Sequence, residues 1–302
     1  MRIANVAGRA VLVEGAGLVD VATASGGRFG PDPSALLEDW ESFTGWAGSD
    51  EAARGPVAAA DPDMGSWGPP VPAPRQVFGI GLNYRDHAAE SNLAEPASPV
   101  VFTKFASCLT GPRARVVLPP GGTVDWEAEL VVAIGARCER VPEDQAWSRV
   151  AGLMIGQDLS ERTLQLAGPA PQFSLGKSFP GFGPIGPVLV TPDELADPDD
   201  IELGCALDGG AAGTPAEVLQ KGRTSDLIFP VTELIARLSA ILPLLPGDLI
   251  FTGTPAGVGA GRKPPRFLAA GQTLVTWAEG IGELRNQMIA DSSPSDPSAG
   301  SR

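Results

Sequence analysis

The sequence predicts an α+β fold, mainly β, with a small N-terminal α+β domain at 1–70 and a larger β-rich domain at 71–289. Three observations carry this. From Gln76 onward apolar strand-like runs recur (VFGIG, PVVFTKF, ELVVAIGA, GPVLV, DLIFTG, TLVTW), each set between Gly/Pro turns, without the helix alternation of a Rossmann unit. Residues 1–70 have a different texture. Between the two, AADPDMGSWGPPVPAP (59–74) is rich in Pro and Gly and reads as a linker.

In chain order, MRIANVAGRAVLVEGAGLVDV reads as short strands broken by glycine, and SALLEDWESF (34–43) as a short helix. The clearest helix is VTELIARLSAIL (231–242). Val231, Leu234, Ile235, Leu238, Ile241 and Leu242 fall on one stripe, Pro230 opens it, and Pro243 and Pro246 close it. The tail at 290–302 is polar and Pro/Ser-rich, so we expect disorder there.

The chain carries 22 Lys+Arg and 36 Asp+Glu, a formal charge of −14. Such a field gains nothing from nucleic acid or an anionic membrane, which argues against both as partners. It also supplies carboxylates for a hard cation. The three cysteines, Cys108, Cys138 and Cys205, are far apart and off zinc spacing, as expected for a reducing compartment. No run approaches the roughly 20 apolar residues of a membrane helix. The first residues lack a signal-peptide core, so we expect a soluble, cytoplasmic protein.

Five stretches could carry chemistry. In TVDWEAELVVAIG, read as a strand, Asp125, Glu127 and Glu129 share one face, with same-face neighbours about 7 Å apart. They form either a solvated acidic face or a cation site. In GQDLSERTLQ, Asp158, Arg162 and Gln165 stand at helical spacing i, i+4, i+7. That is either an anion-binding face or a helix start capped by Asp158 with Glu161. In FSLGKSFPGFGPIGP, Lys177 is one of four lysines and has no charged neighbour in the stretch; it is a snorkelling surface residue or a buried cation facing an anionic ligand. DLIFTGTPAGVG runs an apolar strand into a turn where Thr254 and backbone N–H groups could hold a carboxylate, or where there is only a turn. Finally, GLNYRDHAAES contains the only histidine, His87, and the only tyrosine, Tyr84. Asn83 can cap a short helix on which His87 and Glu90 are neighbours, as a general base and its orienting acid or as a surface pair.

Together, GLNYRDHAAE, TKFASCLTGP, VDWEAEL, GQDLSERTLQ, GKSFPGFGPIGP, DLIFP and TGTPAGVG, in this order over about 75–288, resemble the fumarylacetoacetate hydrolase family, especially its short bacterial, acylpyruvase-like branch. The resemblance implies a mixed β-roll or β-sandwich domain and a homodimer. It implies Mg2+ or Mn2+ (Ca2+ in crystals) held by Glu127, Glu129 and Asp158. It implies substrate contacts from Arg162, Gln165 and Thr254, enolate stabilisation by Lys177, and a His87–Glu90 dyad on a lid helix. The implied reaction is hydrolysis of a C–C bond in a 2,4-dioxo acid by water activated at the dyad. Isomerisation or tautomerisation, decarboxylation or dehydration of 2-oxo acids on the same metal site are the alternatives, and a non-catalytic paralogue is the last. Two positions depart from the family pattern. Ile80 stands where larger members place a fourth metal carboxylate, and Pro180 where many carry an acid.

Overall fold

The computed structural model describes residues 1–49, 57–59 (backbone only), 64–90, 94–209 and 216–292. Most of the tail expected to be disordered (293–302) and part of the expected linker (60–63) lie outside the described residues.

Among the described residues, strands dominate and helices are short, a mixed α+β architecture that is mainly sheet. One twelve-stranded sheet has at its centre Ala128–Ile134, flanked by Val150–Gln157 on one side and Leu249–Phe251 on the other. Every residue of Ala128–Ile134 and of Val150–Gln157 is buried. Strands covered on both faces read as continuous apolar runs rather than alternating ones, which explains ELVVAI and VAGLMI. Against that rule, Glu129 stands out as a carboxylate on the most central strand.

The sheet does not stop at residue 70. Arg2–Val6 pairs antiparallel with Gly183–Val190, with Ile3 opposite Leu189, and the hairpin to Arg9–Glu14 and Gly17–Asp20 extends the sheet outward. At the other edge, Leu249–Phe251 pairs in parallel with Val77–Gly81, which pairs with Val100–Thr103. A second, five-stranded sheet contains Glu202–Leu207, Glu217–Arg223, Thr273–Ala278, Gly282–Ala290 and Arg115–Leu118. A separate two-stranded ribbon pairs Val124–Asp125 with Ser160–Glu161.

Several local expectations need correction. The helix expected at 34–43 is two helices, Pro33–Glu38 and Trp40–Ala47, because Asp39 leaves helical geometry at φ −129°, ψ 54°. The amphipathic helix runs Val231–Ile241 and buries Val231, Leu234, Ile235 and Leu238. Ile241 is 83% exposed. The helix ends at that residue, and Leu242, in extended geometry, stays partly buried against the core while Ile241 turns away from it. The strand expected through 123–135 breaks at Trp126 and Glu127, where the Glu127 N–H donates to the Gln157 side chain (2.9 Å) instead of a ladder partner. Trp126 fills the gap, fully buried, its indole N–H donating to the Gly257 carbonyl. All three cysteines are free and buried. No helix of the described residues is long and apolar enough to cross a membrane.

Candidate active site

The break at Trp126 brings the carboxylates together. Glu129 projects from the central strand and Glu127 from the kink before it. Asp158 follows the neighbouring strand, its N–H bonded to the Glu127 carbonyl at 2.9 Å. Each of the three offers a carboxylate oxygen within 4.8 Å of the others, and all three are buried. Asp125, expected on the same face, points elsewhere. It accepts from the N–H groups of Gly259 (2.6 Å) and Ala260 (2.9 Å) and takes a two-pronged contact from Arg162 at 2.9 and 2.7 Å.

Two buried lysines and the half-buried Arg162 face this centre. The Lys177 ammonium lies 2.6 Å from both Glu127 and Asp158 and 4.9 Å from the centre of the Phe102 ring. Lys104 donates to the other oxygen of Asp158 at 2.7 Å, to the Phe182 carbonyl at 3.2 Å and to the Lys177 carbonyl. Arg162 also reaches Glu127 at 2.8 Å and the Gln165 side-chain oxygen at 2.9 Å. Asp125, Glu127, Glu129 and Asp158 thus meet Lys104, Arg162 and Lys177, one positive charge short, and Glu129 is the carboxylate left over. Its close partner is the Gly253 N–H, at 2.8 Å.

The titration behaviour follows this arrangement. Burial pushes the Glu129 carboxyl well above its ordinary range, and the neighbouring Asp158 and Glu127 charges push it further. Burial acts the same way on Glu127, but Lys177 and Arg162 outweigh it and hold that carboxyl at about 2. Burial works against the charged forms of Lys177 and Arg162. Asp158 and Glu127 raise the lysine in spite of it, and Glu127 and Asp125 raise the arginine. Three hard oxygen donors with an uncompensated carboxylate among them fit a small divalent cation such as Mg2+ or Mn2+.

The chain after Leu249–Phe251 aims its backbone at these acids. Gly253 (φ +103°) donates to Glu129, and Gly257 (φ +106°) to both oxygens of Glu90 at 3.2 and 3.1 Å. A Cβ on Gly253 would fall 2.7 Å from the Asn83 Cβ, and one on Gly257 2.4 Å from the Leu219 carbonyl oxygen, so only glycine serves at either position. Thr254, expected to touch substrate through its hydroxyl, donates that proton to the Ala128 carbonyl at 3.0 Å and accepts from Gln220 at 2.7 Å. The signal in TGTPAGVG is its glycines as much as its threonine.

His87 and Glu90 share the helix Arg85–Glu90, with the imidazole Nδ1 3.4 Å from a Glu90 oxygen. Asn83 does not cap this helix. Its amide bonds to the Thr252 and Phe229 carbonyls and to the Phe229 N–H, tying the helix start to two other segments. Tyr84 is buried, and its hydroxyl has no hydrogen-bond partner among the described residues. Burial, then the Glu129 and Asp226 charges, raise its pKa far above normal.

The two readings of GQDLSERTLQ divide between residues. Helix Arg162–Gln165 is capped by Glu161, which accepts from the Leu164 N–H at 2.7 Å. Asp158 lies outside it, beside the other acids. One cavity of about 480 Å³ receives His87, Glu90, Glu127, Glu129, Arg162, Gln165, Lys177 and Thr254, while Asp158 lies fully buried behind them. Its remaining wall is mostly apolar, with Ile80, Val100, Phe102, Phe173 and Val258 among its residues. Ile80 thus presents hydrocarbon where a fourth carboxylate would have stood. Lys104, which completes the charge network, was not singled out in the sequence, and Asp125 was read there as part of the acidic face rather than as the partner of Arg162.

Comparison with known proteins follows the same outline. The family model described as fumarylacetoacetate (FAA) hydrolase C-terminal matches residues 76–289. The chain is 41% identical over 221 residues to the mitochondrial oxaloacetate tautomerase FAHD2A of Homo sapiens, covering 73% of this chain and 68% of that one. It is 42% identical over 250 residues to a 2,4-didehydro-3-deoxy-L-rhamnonate hydrolase of Sphingomonas sp. (strain SKA58), covering 82% and 84%. It is similar to the structure of maleylpyruvate hydrolase from Sphingobium sp. SYK-6 in complex with manganese(II) and pyruvate, at TM-score 0.77 and 28% identity over 96% of this chain and 99% of that one.

Proposed function

The chain belongs to the fumarylacetoacetate hydrolase family, and on that premise we propose that it is a divalent-metal-dependent hydrolase cleaving a carbon–carbon bond in 2,4-dioxo acids. The observation that carries this is a cluster of three carboxylates, in a four-acid, three-cation network one positive charge short, at one cavity with a His–Glu dyad. Glu127, Glu129 and Asp158 would hold Mg2+ or Mn2+, and the relative crystallised with manganese and pyruvate supports that choice. When bound, the ion supplies Lewis-acid polarisation of the 2-oxo group.

The remaining work falls to this chain's own groups. Arg162 holds the Gln165 oxygen, leaving the Gln165 amide N–H free to donate to the substrate carboxylate. Glu90 faces Nδ1 of His87 and leaves Nε2 to take a proton from water. The hydroxide adds to the 4-oxo carbon and the C3–C4 bond breaks. Its electron pair passes to C3 as an enolate, neutralised by the Lys177 ammonium. The proton on His87 then returns to C3, giving a 2-oxo acid and a carboxylic acid. A homodimer and a cytoplasmic setting belong to the same proposal.

A second reading, tautomerisation of a 2-oxo acid, has its support in the human relative's name. In it His87 takes a proton from C3 itself and a proton is delivered to the 2-oxo oxygen, giving the enol, and no bond between carbons breaks. NMR of products in D2O, with Mg2+ present, separates the two. Hydrolysis releases two acids from an acylpyruvate. Tautomerisation exchanges the C3 protons of oxaloacetate and leaves the skeleton whole. Finding neither with either compound would sink both readings.

A further inference from the structure

The cavity has four cationic or imidazole side chains in its wall: His87, Arg162, Lys177 and Lys263. His87 faces Glu90, Arg162 is taken by Asp125 and Glu127, and Lys177 by Glu127 and Asp158. Among the described residues, Lys263 alone of the four has no carboxylate partner. It is exposed, at the cavity's rim, in the segment GRKPPR.

That segment is held firmly on either side of it. Arg262 lies 5.3 Å over the Trp126 ring and donates to the Leu219 carbonyl at 3.0 Å. The Arg266 guanidinium forms a two-pronged pair with Glu217, and the Arg266 backbone N–H donates to the Gly259 carbonyl at 3.0 Å. Pro264 and Pro265 limit the backbone between them. Two of the three cations in the segment are therefore tied down as structure, and the third is presented to the cavity.

Its position within the cavity is fixed by the neighbouring residues. A Cβ on Gly261 would lie 2.9 Å from the Glu90 carboxyl carbon, so the chain entering Lys263 passes against the His–Glu dyad. A 2-oxo acid anchored at the Gln165 amide, as in the function proposed above, extends its far end toward that dyad. Beyond the dyad itself the wall there offers Val258, Ala260 and Gly261 and one further charged group, Lys263, so a free ammonium at the rim selects for negative charge at the substrate's distal end.

We propose that Lys263 is a specificity residue for a second, distal carboxylate, and that the preferred substrates are 2-oxo dicarboxylic acids. This rests on the 2-oxo-acid function proposed above. Because the ammonium is solvent-exposed, its contribution is about fivefold in affinity, the upper end for an exposed ion pair, and it weakens with salt.

The test is calorimetric binding of a matched pair, 2-oxoadipate and 2-oxohexanoate, to the full chain with MnCl2 present. Wild type should bind the dicarboxylate about fivefold more tightly at low salt, with the margin closing at high ionic strength. K263A should abolish the margin by weakening the dicarboxylate alone, and K263E should reverse it. An unchanged margin in K263A, or an equal loss for both acids, would overturn the assignment while leaving the function intact. If wild type binds neither acid, the 2-oxo-acid function falls and this inference falls with it.

Discussion

Glu129→Gln should remove metal binding without destabilising the metal-free protein, an unusual outcome for a buried residue on a central strand. Glu129 is 1% exposed and has no salt-bridge partner among the described residues, so its charge is a cost in the metal-free state. The amide is isosteric, and its oxygen can still accept from the Gly253 N–H. The pH dependence has a definite sign. The folded carboxyl titrates well above its unfolded value, so the folded state binds more protons in the window between the two. Its contribution is fully present below the unfolded pKa of about 4.3 and is lost as pH rises through the folded value. Metal-free wild type should therefore lose stability with rising pH across that window, and E129Q should lose less. Metal restores the balance. At a hundredfold excess over Kd a ligand stabilises by about 2.7 kcal/mol. At about 2.1 cal/mol/K per residue, 302 residues give a Tm shift of roughly 4 °C. Differential scanning calorimetry of both proteins from pH 5 to 9, with EDTA and with MnCl2, measures every part of this. A metal-free E129Q that melts below wild type at pH 8, or one that keeps the manganese shift, would refute the charge argument.

Other perturbations follow from the same network. His87→Ala should cut turnover of the cleaved substrate by about 10²–10⁴, typical of losing a general base, with the manganese-induced Tm shift intact; wild-type turnover would remove the dyad from the mechanism. Lys177→Met leaves Glu127 and Asp158 without their shared cation and should destabilise the metal-free protein by about 3–5 kcal/mol in urea unfolding, a deficit that narrows when MnCl2 supplies the missing charge. Gly253→Ala forces a Cβ against Asn83 at a positive φ and should cost about 1–3 kcal/mol by the same measurement, with weakened metal binding because the Glu129 carboxylate loses its N–H donor.

The parts of the site visible in the sequence are those whose side chains act within a short stretch. Arg162 and Gln165 three apart, and His87 and Glu90 three apart, face common neighbours as helix periodicity requires, and Glu127 and Glu129, two apart, meet although Glu127 lies in the break before the strand. Asp125 satisfied the same alternation and yet turned to Arg162 and the 259–260 backbone. Alternation assumes a continuous strand, and the packing of Trp126 breaks it. Lys104 gave no local signal at all: its partners are 54, 73 and 78 residues away, and only the closed fold brings them to its ammonium. The strands of the central sheet were legible because burial on both faces demands apolar runs. The joining of Arg2–Val6 to Gly183–Val190 was not, since pairing across such a separation leaves no mark on either segment.

The residues 253–260 explain why the two halves of the site are not independent. One short run of backbone donates to Glu129 in the proposed metal centre, to Glu90 of the proposed dyad and to Asp125, the anchor of Arg162. Those three carboxylates come from a central strand, a short helix and a two-stranded ribbon, elements with no common packing face. Backbone N–H groups are fixed by φ and ψ alone, so they set distances between such elements with less conformational freedom than long side chains would. A disturbance of this loop should therefore move the proton-handling and metal-holding groups together. Substitutions within 253–260 are expected to lower metal affinity and turnover in parallel, whereas changes at His87 lower turnover alone. Measuring Mn2+ affinity and turnover on Gly257→Ala decides it. Glu90, not a metal ligand, is the carboxylate that its N–H holds, so a loss of turnover with metal affinity untouched would show that the loop positions each acid separately.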